Sequence, residues 1–408
     1  MIDKDLEVSL PGADILKAHL VDLAGKLTGI TNSVPDRGEP DVPYIKFEVE
    51  KLLRGVSPFE VMGGSFRDIV SRACLVKLEG DSVWLSMSDG IVSASVFVSV
   101  EAKREGIPDS FILDYESLIR IAKLSGKFVY LVFVNGSFYI DSFGGRVHIP
   151  AYNIKSDLIE KRVDVDLSKG ATYSVSVGAV LQAFTVMGNY LVSNPSLQTK
   201  NFDIAYLDKR NVYASDGATS LRCSMEFPFT ATFRKNDVEL ILSAAQLSSV
   251  SGLQAIVGDT YVRFFSPFVS ILVPLSKIEF PAVYIKQLSM VETRNRYTID
   301  FAKFYLYLSI LTKIYRASGR VVLRCSEDGL MLESTSLDSK LSYMSLFEGV
   351  SGKVAPVVFS FGAEGIMGVL RSLRNTPDLS LSVGKQSFSL FNSDVVLSVF
   401  GSVEEASK

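Results

Sequence analysis

The chain has 408 residues, 47% hydrophobic and 21% charged, with a net charge of −3. This composition excludes a disordered or low-complexity chain and a generally basic nucleic-acid coat. A locally basic groove remains compatible with it, and the length suits two or three domains.

The N-terminal MIDKDLEVSL lacks the basic flank and apolar run of a signal peptide. Two openings for the first third compete. LEVSLPGADILKAHLVDLAGKL reads as a strand and a helix, which makes roughly residues 28–66 an insertion. Alternatively IKFEVEKLLRG opens the domain, and the segment before it is an extension. Spacing favours the second, since 89 − 47 gives 42 and the matching interval, 216 − 173, gives 43. Helical quality favours the first, because Pro58 interrupts the later candidate. On balance the first opening is expected.

VWLSMSDGIVSASVFV, from Val83, then alternates like strands. Asp114 precedes a helix, YESLIRIAKLSGK. FVYLVFV and SFYIDSF flank Asn135-Gly136, the strongest hairpin signal in the chain. A first linker is expected over 153–166. Tyr173–Val177 reads as a strand. Residues 178–192 read as a helix with an apolar stripe of Val180, Leu181, Phe184, Met187 and Leu191. FDIAYLD and NVYASDGATSLRCSMEF are strands. Asn236-Asp237 looks like the capped start of a helix, VELILSAAQLSSV. A second linker is expected over 284–296. Residues 299–315 form an amphipathic helix, interrupted by charge and too short to span a bilayer comfortably. VVLRCSEDGLMLESTS is a strand pair, and AEGIMGVLRSLRN is a last helix.

One strand–turn–strand pattern recurs: FYIDSFGGRVHIP ending at Pro150, YVRFFSPFVSILVP ending at Pro274, and FSLFNSDVVLSVF with Ser398 at the matching place. The intervals 274 − 150 and 398 − 274 are both 124. A period this long implies three copies of a whole domain.

Little here supports catalysis. His19 and His148 stand in unrelated settings, too few for a triad or a histidine metal site. Cys74, Cys223 and Cys325 are isolated, as small core thiols in a reducing cytoplasm would be. No phosphate-binding GxxxxGK[ST] loop and no strand–GxGxxG–helix unit occurs. The SDG triplets at Ser88 and Ser215 recur with the fold, so they read as turns. No catalytic residue, metal or cofactor is expected.

VYASDGATSLRCSM, VSILVPLSKIEFPAVY with its Phe280-Pro281 pair, and SDVVLSVF resemble segments of the bacterial-type DNA sliding clamp. That family is the processivity factor of DNA polymerase III, its beta subunit. The chain would be a divergent member, cellular or phage-encoded. The resemblance implies an α+β chain of three tandem clamp domains, 1–160, 161–290 and 291–408, with sheets outside and two helices per domain inside. Two such chains would join head to tail as a homodimeric ring around double-stranded DNA, held without base readout. The ring would tether a DNA polymerase after a clamp loader mounts it, in the cytoplasm and away from membranes.

The helices offer cations for DNA: Lys17, Arg120, Lys123 and Lys127 in the first third, and Lys303, Lys313, Arg316, Arg371 and Arg374 in the last. The two helices of the middle third have almost no cations, with only Arg234 and Lys235 nearby. The resemblance further implies an apolar pocket for partner peptides. Its residues would be Gly217, Thr219 and Leu221, then Pro281, then Leu397, Ser398, Val399 and Phe400. Ala218 and Thr219 stand where the family carries bulkier basic residues, and Gly401–Lys408 extends past the closing strand.

Overall fold

The computed structural model describes residues 39–62, 72–142, 145–152, 159, 167–193, 203–289, 296–314, 320–326, 329–335, 342–347, 350–351, 357–362, 367, 370–371, 373, 376, 378–384, 387–400 and 402–404. The chain divides into two compact units, Met1–Val165 and Asp166–Lys408.

The first unit runs β1 (Tyr44–Glu48), α1 (Val49–Gly55), α2 (Ser57–Met62), β2 (Ala73–Glu79), β3 (Ser82–Ser88), β4 (Ser93–Ser99), β5 (Glu101–Lys103) and β6 (Ser110–Asp114). It continues with α3 (Tyr115–Leu124), β7 (Phe128–Val134), β8 (Ser137–Ser142) and β9 (Gly145–Ile149). Its strands lie in the orders β5-β1-β7-β8-β9 and β4-β3-β2-β6, all antiparallel where paired.

The second unit holds two further passes of this plan. One is β10 (Ala171–Val175), α4 (Val177–Ser193), β11 (Ile204–Asp208), β12 (Asn211–Ser215), β13 (Thr219–Ser224), β14 (Thr230–Arg234), α5 (Lys235–Leu247), β15 (Leu253–Val257), β16 (Tyr261–Phe265) and β17 (Val269–Pro274). A connecting helix, α6 (Ala282–Ser289), follows. The other is β18 (Arg296–Thr298), α7 (Phe301–Ile314), β19 (Arg320–Ser326), β20 (Gly329–Thr335), β21 (Ser342–Phe347), β22 (Val350–Ser351), β23 (Val357–Gly362), β24 (Ser380–Val383), β25 (Ser387–Phe391), β26 (Val395–Phe400) and β27 (Ser402–Glu404). Its strand orders are β10-β15-β16-β17, β14-β11-β12-β13-β26-β25-β24-β18-β22 and β21-β20-β19-β23-β27.

The three recurring hairpins are β8–β9, β16–β17 and β25–β26. Each continues in the same way. Past its last strand the chain crosses to the other sheet of its own repeat. After β9, Tyr152 N–H donates to Ile112 O at 3.1 Å, beside β6. After β17, Ser276 N–H donates to Thr232 O on β14 at 2.9 Å. After β26, β27 pairs with β23. Residues 402–404 of the C-terminal extension are therefore a strand of the fold.

The first repeat opens at β1, which pairs with β7 as β10 pairs with β15. The earlier candidate opening, and Lys17 with it, lies outside the described residues. The interruption expected at Pro58 is present: α1 ends at Gly55 and a separate helix, α2, starts at Ser57. Pro58 occupies the first turn of α2, where its missing N–H has no intrahelical partner to lose. Asn135 and Gly136 adopt φ of 51° and 77°, as a two-residue hairpin turn between β7 and β8 requires.

The helices bury the faces their sequences dictate. In α4, Val180, Phe184, Met187, Tyr190 and Leu191 are buried, whereas Leu181 is only half-buried. Asp114 caps α3 and accepts from Ser117 N–H at 2.8 Å. The corresponding helix α5 starts two residues before the expected Asp237. Asp237 sits at the third helical position and accepts from Arg234 N–H at 3.1 Å. Both carboxylates satisfy backbone donors left open at a helix start, from different positions.

Candidate functional site

The centre of the second unit is a seam between its two repeats. β13 pairs antiparallel with β26 in the register Thr219↔Val399, Ser220↔Ser398, Leu221↔Leu397 and Cys223↔Val395. Phe400 N–H extends it by donating to Ala218 O at 2.8 Å. The SDG segment and the closing strand, far apart in sequence, are thus adjacent.

The turn before β13 explains the SDG triplet. Asp216 Oδ1 accepts from Ala218 N–H at 2.8 Å and from Thr219 N–H at 2.5 Å. Gly217 takes φ of 87° and donates its N–H to Ser215 Oγ at 3.1 Å. Asp89 and Ser88 make the same bonds, and Gly90 has φ of 91°. Asn392 plays the aspartate's part between β25 and β26, accepting from Asp394 and Val395 N–H at 2.8 Å each. These residues build turns, as their recurrence suggested.

The pocket drawn from the resemblance does not form on one surface. Successive strand residues face opposite sides of a sheet. Thr219 faces α4, because its Oγ1 lies 2.9 Å from Tyr190 OH. Leu221, Leu397 and Val399 share that face and are fully buried. They are core residues, not pocket walls. Ser398 and Phe400 lie on the opposite face, with Val396, where α6 packs on β13 and β26. There Phe280 is an aromatic pillar. It stacks on Tyr206 with ring centroids 5.8 Å apart and planes 5° apart, and meets Tyr213 and Tyr284 at 6.2 and 6.1 Å. Ile204, Leu288 and Val396 complete the cluster. Burial, then the hydrogen bond to Asp208, pushes the Tyr213 phenol up from its ordinary value. Beside the cluster the face turns polar. Ser215 and Ser220 hydroxyls are 2.7 Å apart, and those of Ser389 and Ser398 are 2.8 Å apart, all buried. Pro281 is half-buried at the start of α6, and Gly217 is exposed in its turn. Val396 was missed in sequence, although alternation from Leu397 places it on the other face.

The cations expected to meet DNA are mostly exposed but partly matched by acids. Arg120 pairs with Glu116 at 3.2 Å and Lys123 with Glu60 at 2.6 Å. Lys127 Nζ stands 5.1 Å from the Phe128 ring centroid. Lys303 lies 3.9 Å from Asp300. Arg234 is exposed just before α5 and Lys235 is half-buried in its first turn, with Glu239, whose carboxyl burial pushes upward, four residues on. α4 carries no charged residue. Arg371 is exposed in a helical stretch with Leu370. Arg316, Arg374 and the side chain of Lys313 lie outside the described residues. No cluster of histidine, cysteine and carboxylate able to hold a metal occurs among the described residues. Burial raises the Cys74 and Cys223 thiols to about 12. His148 is exposed on β9, its ring edge-on to Tyr139 at 5.3 Å. No helix among the described residues is long and apolar enough to cross a membrane.

Solved structures share this architecture. A DNA polymerase III beta subunit from Thermotoga maritima matches with a TM-score of 0.71 at 13% identity, covering 89% of this chain and 100% of its own. A sliding clamp, DNA polymerase III subunit beta, from Bartonella birtlesii bound to griselimycin gives 0.69 at 13% identity, covering 88% and 99%. A DNA polymerase sliding clamp from Pseudomonas aeruginosa gives 0.65 at 13% identity, covering 88% and 99%. No family model and no curated protein sequence matches the chain. The chain has the fold of the bacterial DNA sliding clamps.

Proposed function

We propose that this chain is a DNA sliding clamp: a homodimeric ring of six domains, three per chain over 1–160, 161–290 and 291–408, that encircles duplex DNA and tethers a polymerase. The observation that carries the reading is the β13–β26 seam. Each repeat has one strand of each kind. In the first repeat the counterpart of β26 is β9, and in the third the counterpart of β13 is β21. Both stand at sheet edges among the described residues. An uncovered edge is a template for another strand. β9 of one copy against β21 of a second, made twice about a two-fold axis, closes the assembly and leaves neither of these two strands uncovered. Val147 is 47% exposed at the middle of β9, as a residue awaiting a partner strand is.

In this reading Arg120, Lys123, Lys127, Arg234, Lys235, Lys303 and Arg371 meet phosphates, and the chain performs no catalysis. A polymerase or loader segment binds beside α6, at the half-buried Pro281 and Phe400. The decisive experiment compares retention on closed circular DNA with retention after linearisation. Loss on linearisation supports the ring, and equal retention on both refutes it. The solution mass gives a second test. Twice 44.7 kDa is expected for the native chain, and the monomer mass for Val147→Asp.

A second reading is favoured by α4, which has no charge to offer DNA. There the fold serves as an interaction scaffold that does not encircle DNA. A monomer that binds a protein partner and ignores closed circles would establish it.

A further inference from the structure

Two cavities flank the turn between β25 and β26, both within the second unit. The first, about 550 Å³, opens between α4 and the turn. Its helical wall is Gly178, Leu181, Gln182, Thr185, Val186 and Asn189. These lie three or four residues apart, on one face of the helix. The facing wall includes Cys223, Asp394 and Val395, and Arg371 also lines the space. The second cavity, about 460 Å³, lies across the same turn and is lined by Arg296, Asp378, Phe391 and the turn residues Asn392, Ser393 and Asp394.

The linings define a ligand. Leu181, Val186 and Val395 provide apolar surface for a flat ring. Gln182 and Asn189 provide amides between them. Asp394 accepts from Gln182 Nε2 at 3.2 Å and from Ser393 Oγ at 3.0 Å, and a carboxylate so held still has acceptor sites for an N–H group. Arg371 supplies a cation, and no salt bridge engages it among the described residues. In the second cavity Phe391 packs against the Phe280 cluster and its ring is covered by Arg296, whose guanidinium lies 5.2 Å from the centroid and 3.1 Å from Ser380 Oγ, so the guanidinium plane is the surface a base meets. Ring faces, amino groups and spaced anions together describe consecutive nucleotides. Aromatic platforms and arginines are how unpaired strands are held.

We propose that the cleft over the β25–β26 turn binds a short unpaired stretch of DNA. One base enters the α4 cavity and the next stacks on the Arg296 guanidinium over Phe391. The phosphates approach Arg371 and Arg296. Asp378 and Asp394 accept from exocyclic amino groups and oppose phosphate elsewhere, so binding depends on the base. Cytosine donates such a group and thymine does not. The inference does not rest on ring closure, because one chain contains both cavities.

The test is fluorescence anisotropy of labelled oligodeoxycytidine and oligodeoxythymidine of about eight nucleotides, on the full-length chain. The cytidine probe should bind at least about fivefold tighter. Arg371→Ala, at an exposed position, should weaken it about tenfold, and Gln182→Leu should shrink the preference over thymidine. Engaging two phosphates gives a slope of log affinity on log salt near −1.4. Equal affinity for both probes, indifference to Arg371→Ala in a variant with native circular dichroism, or no binding at about 1 mM protein overturns the proposal. Arg371 also serves the duplex reading, so the base preference and its loss in Gln182→Leu, which a ring around duplex DNA does not require, are the outcomes that separate the two readings.

Discussion

Replacing Phe280 with alanine tests whether its ring is a structural pillar that fixes α6 against the sheet. Phe280 is 9% exposed and packs against three tyrosine rings and the aliphatic side chains of Ile204, Leu288 and Val396. Truncating a buried phenylalanine costs about 3–5 kcal/mol, and each ring pair adds about 0.5–1.5 kcal/mol beyond area. Tyr206 and Tyr284 are only half-buried, so they can move into the space and limit the cavity. The expected loss is therefore near the lower bound, about 3 kcal/mol. For a folding unit of this size that is a fall of roughly 6–12 °C in Tm. Far-UV circular dichroism melts measure it. Val283→Ala is the control, since Val283 is 54% exposed on the same helix and should change stability by less than about 0.5 kcal/mol. Tyr206→Leu combined with Phe280→Ala should be less than additive, because the two remove the same stacked pair. A fall below about 2 °C for Phe280→Ala would show that the rings are not a core, and α6 would then be free to make way for a partner.

Other consequences are as direct. Asp216→Ala strips the turn of two backbone hydrogen bonds and one from Thr219 Oγ1, and should cost about 2 kcal/mol by urea titration. Gly217→Ala should cost about 1 kcal/mol, because its φ of 87° suits few L-residues. Cys74 and Cys223, raised to about 12 by burial, should resist iodoacetamide in the native state at pH 8 and react once urea unfolds the chain. The unfolded thiols lose their protons near pH 8.5 while the folded ones keep theirs, so stability should fall as pH climbs from about 8.5 towards 12. At the acid end, burial opposes ionisation of Asp114, but hydrogen bonds from Ser117 and Tyr152 outweigh it and lower its pKa. That contribution is present above the ordinary carboxylate range and is lost as pH falls through the folded value. Tyr152→Phe should lessen the acid sensitivity seen in urea titrations at pH 3–5.

The parts of the fold legible in the sequence are those governed by short-range rules. Asn135-Gly136 dictates its turn because both residues tolerate positive φ. The 124-residue recurrence survives because each hairpin must alternate to bury one face. α3, α4, α5 and α7 were legible to within a few residues, whereas α6 lies where a linker over 284–296 was expected, and most of the expected last helix lies outside the described residues. The errors have the same root in reverse. The interruption at Pro58 is real, but it does not count against the opening at β1, because a second helix restarts with the proline in its first turn. Leu397 and Val399 were assigned to a pocket because apolar character does not say which face of a sheet is covered. Their side is fixed by Tyr190 on α4, reached only through the register of β13 on β26. That register joins segments about 180 residues apart, and no local pattern encodes it. The polar spacing of Gln182, Thr185 and Asn189 was visible opposite the apolar stripe, but a solvated helix face gives the same pattern.

The crossing that follows each closing strand shows why such repeats can be strung into one chain. A repeat has two sheets, and its helices alone do not hydrogen-bond one sheet to the other. The chain leaving β9, β17 and β26 supplies that link by pairing onto β6, β14 and β23 of its own repeat. With each repeat tied internally, the strands at its flanks are free to pair outward. The β13–β26 seam is one such pairing, made within the chain. Its backbone hydrogen bonds form whatever the side chains are, provided the faces match. This explains how the seam can carry Ser220 and Ser398 side by side on one face and Leu221 beside Leu397 on the other. It also explains how the fold persists at 13% identity to the bacterial clamps. Side-chain chemistry at the seam can then drift, so partner preference is the property most open to divergence. The α6 face, with buried serines beside an aromatic pillar, is where that divergence should be measured first. The assay is binding of polymerase-derived peptides to the native chain and to Phe400→Ala, at a half-buried position of that face. If this face sets the preference, opening space there should shift it towards bulkier apolar anchors. An unchanged preference would place partner recognition elsewhere on the molecule.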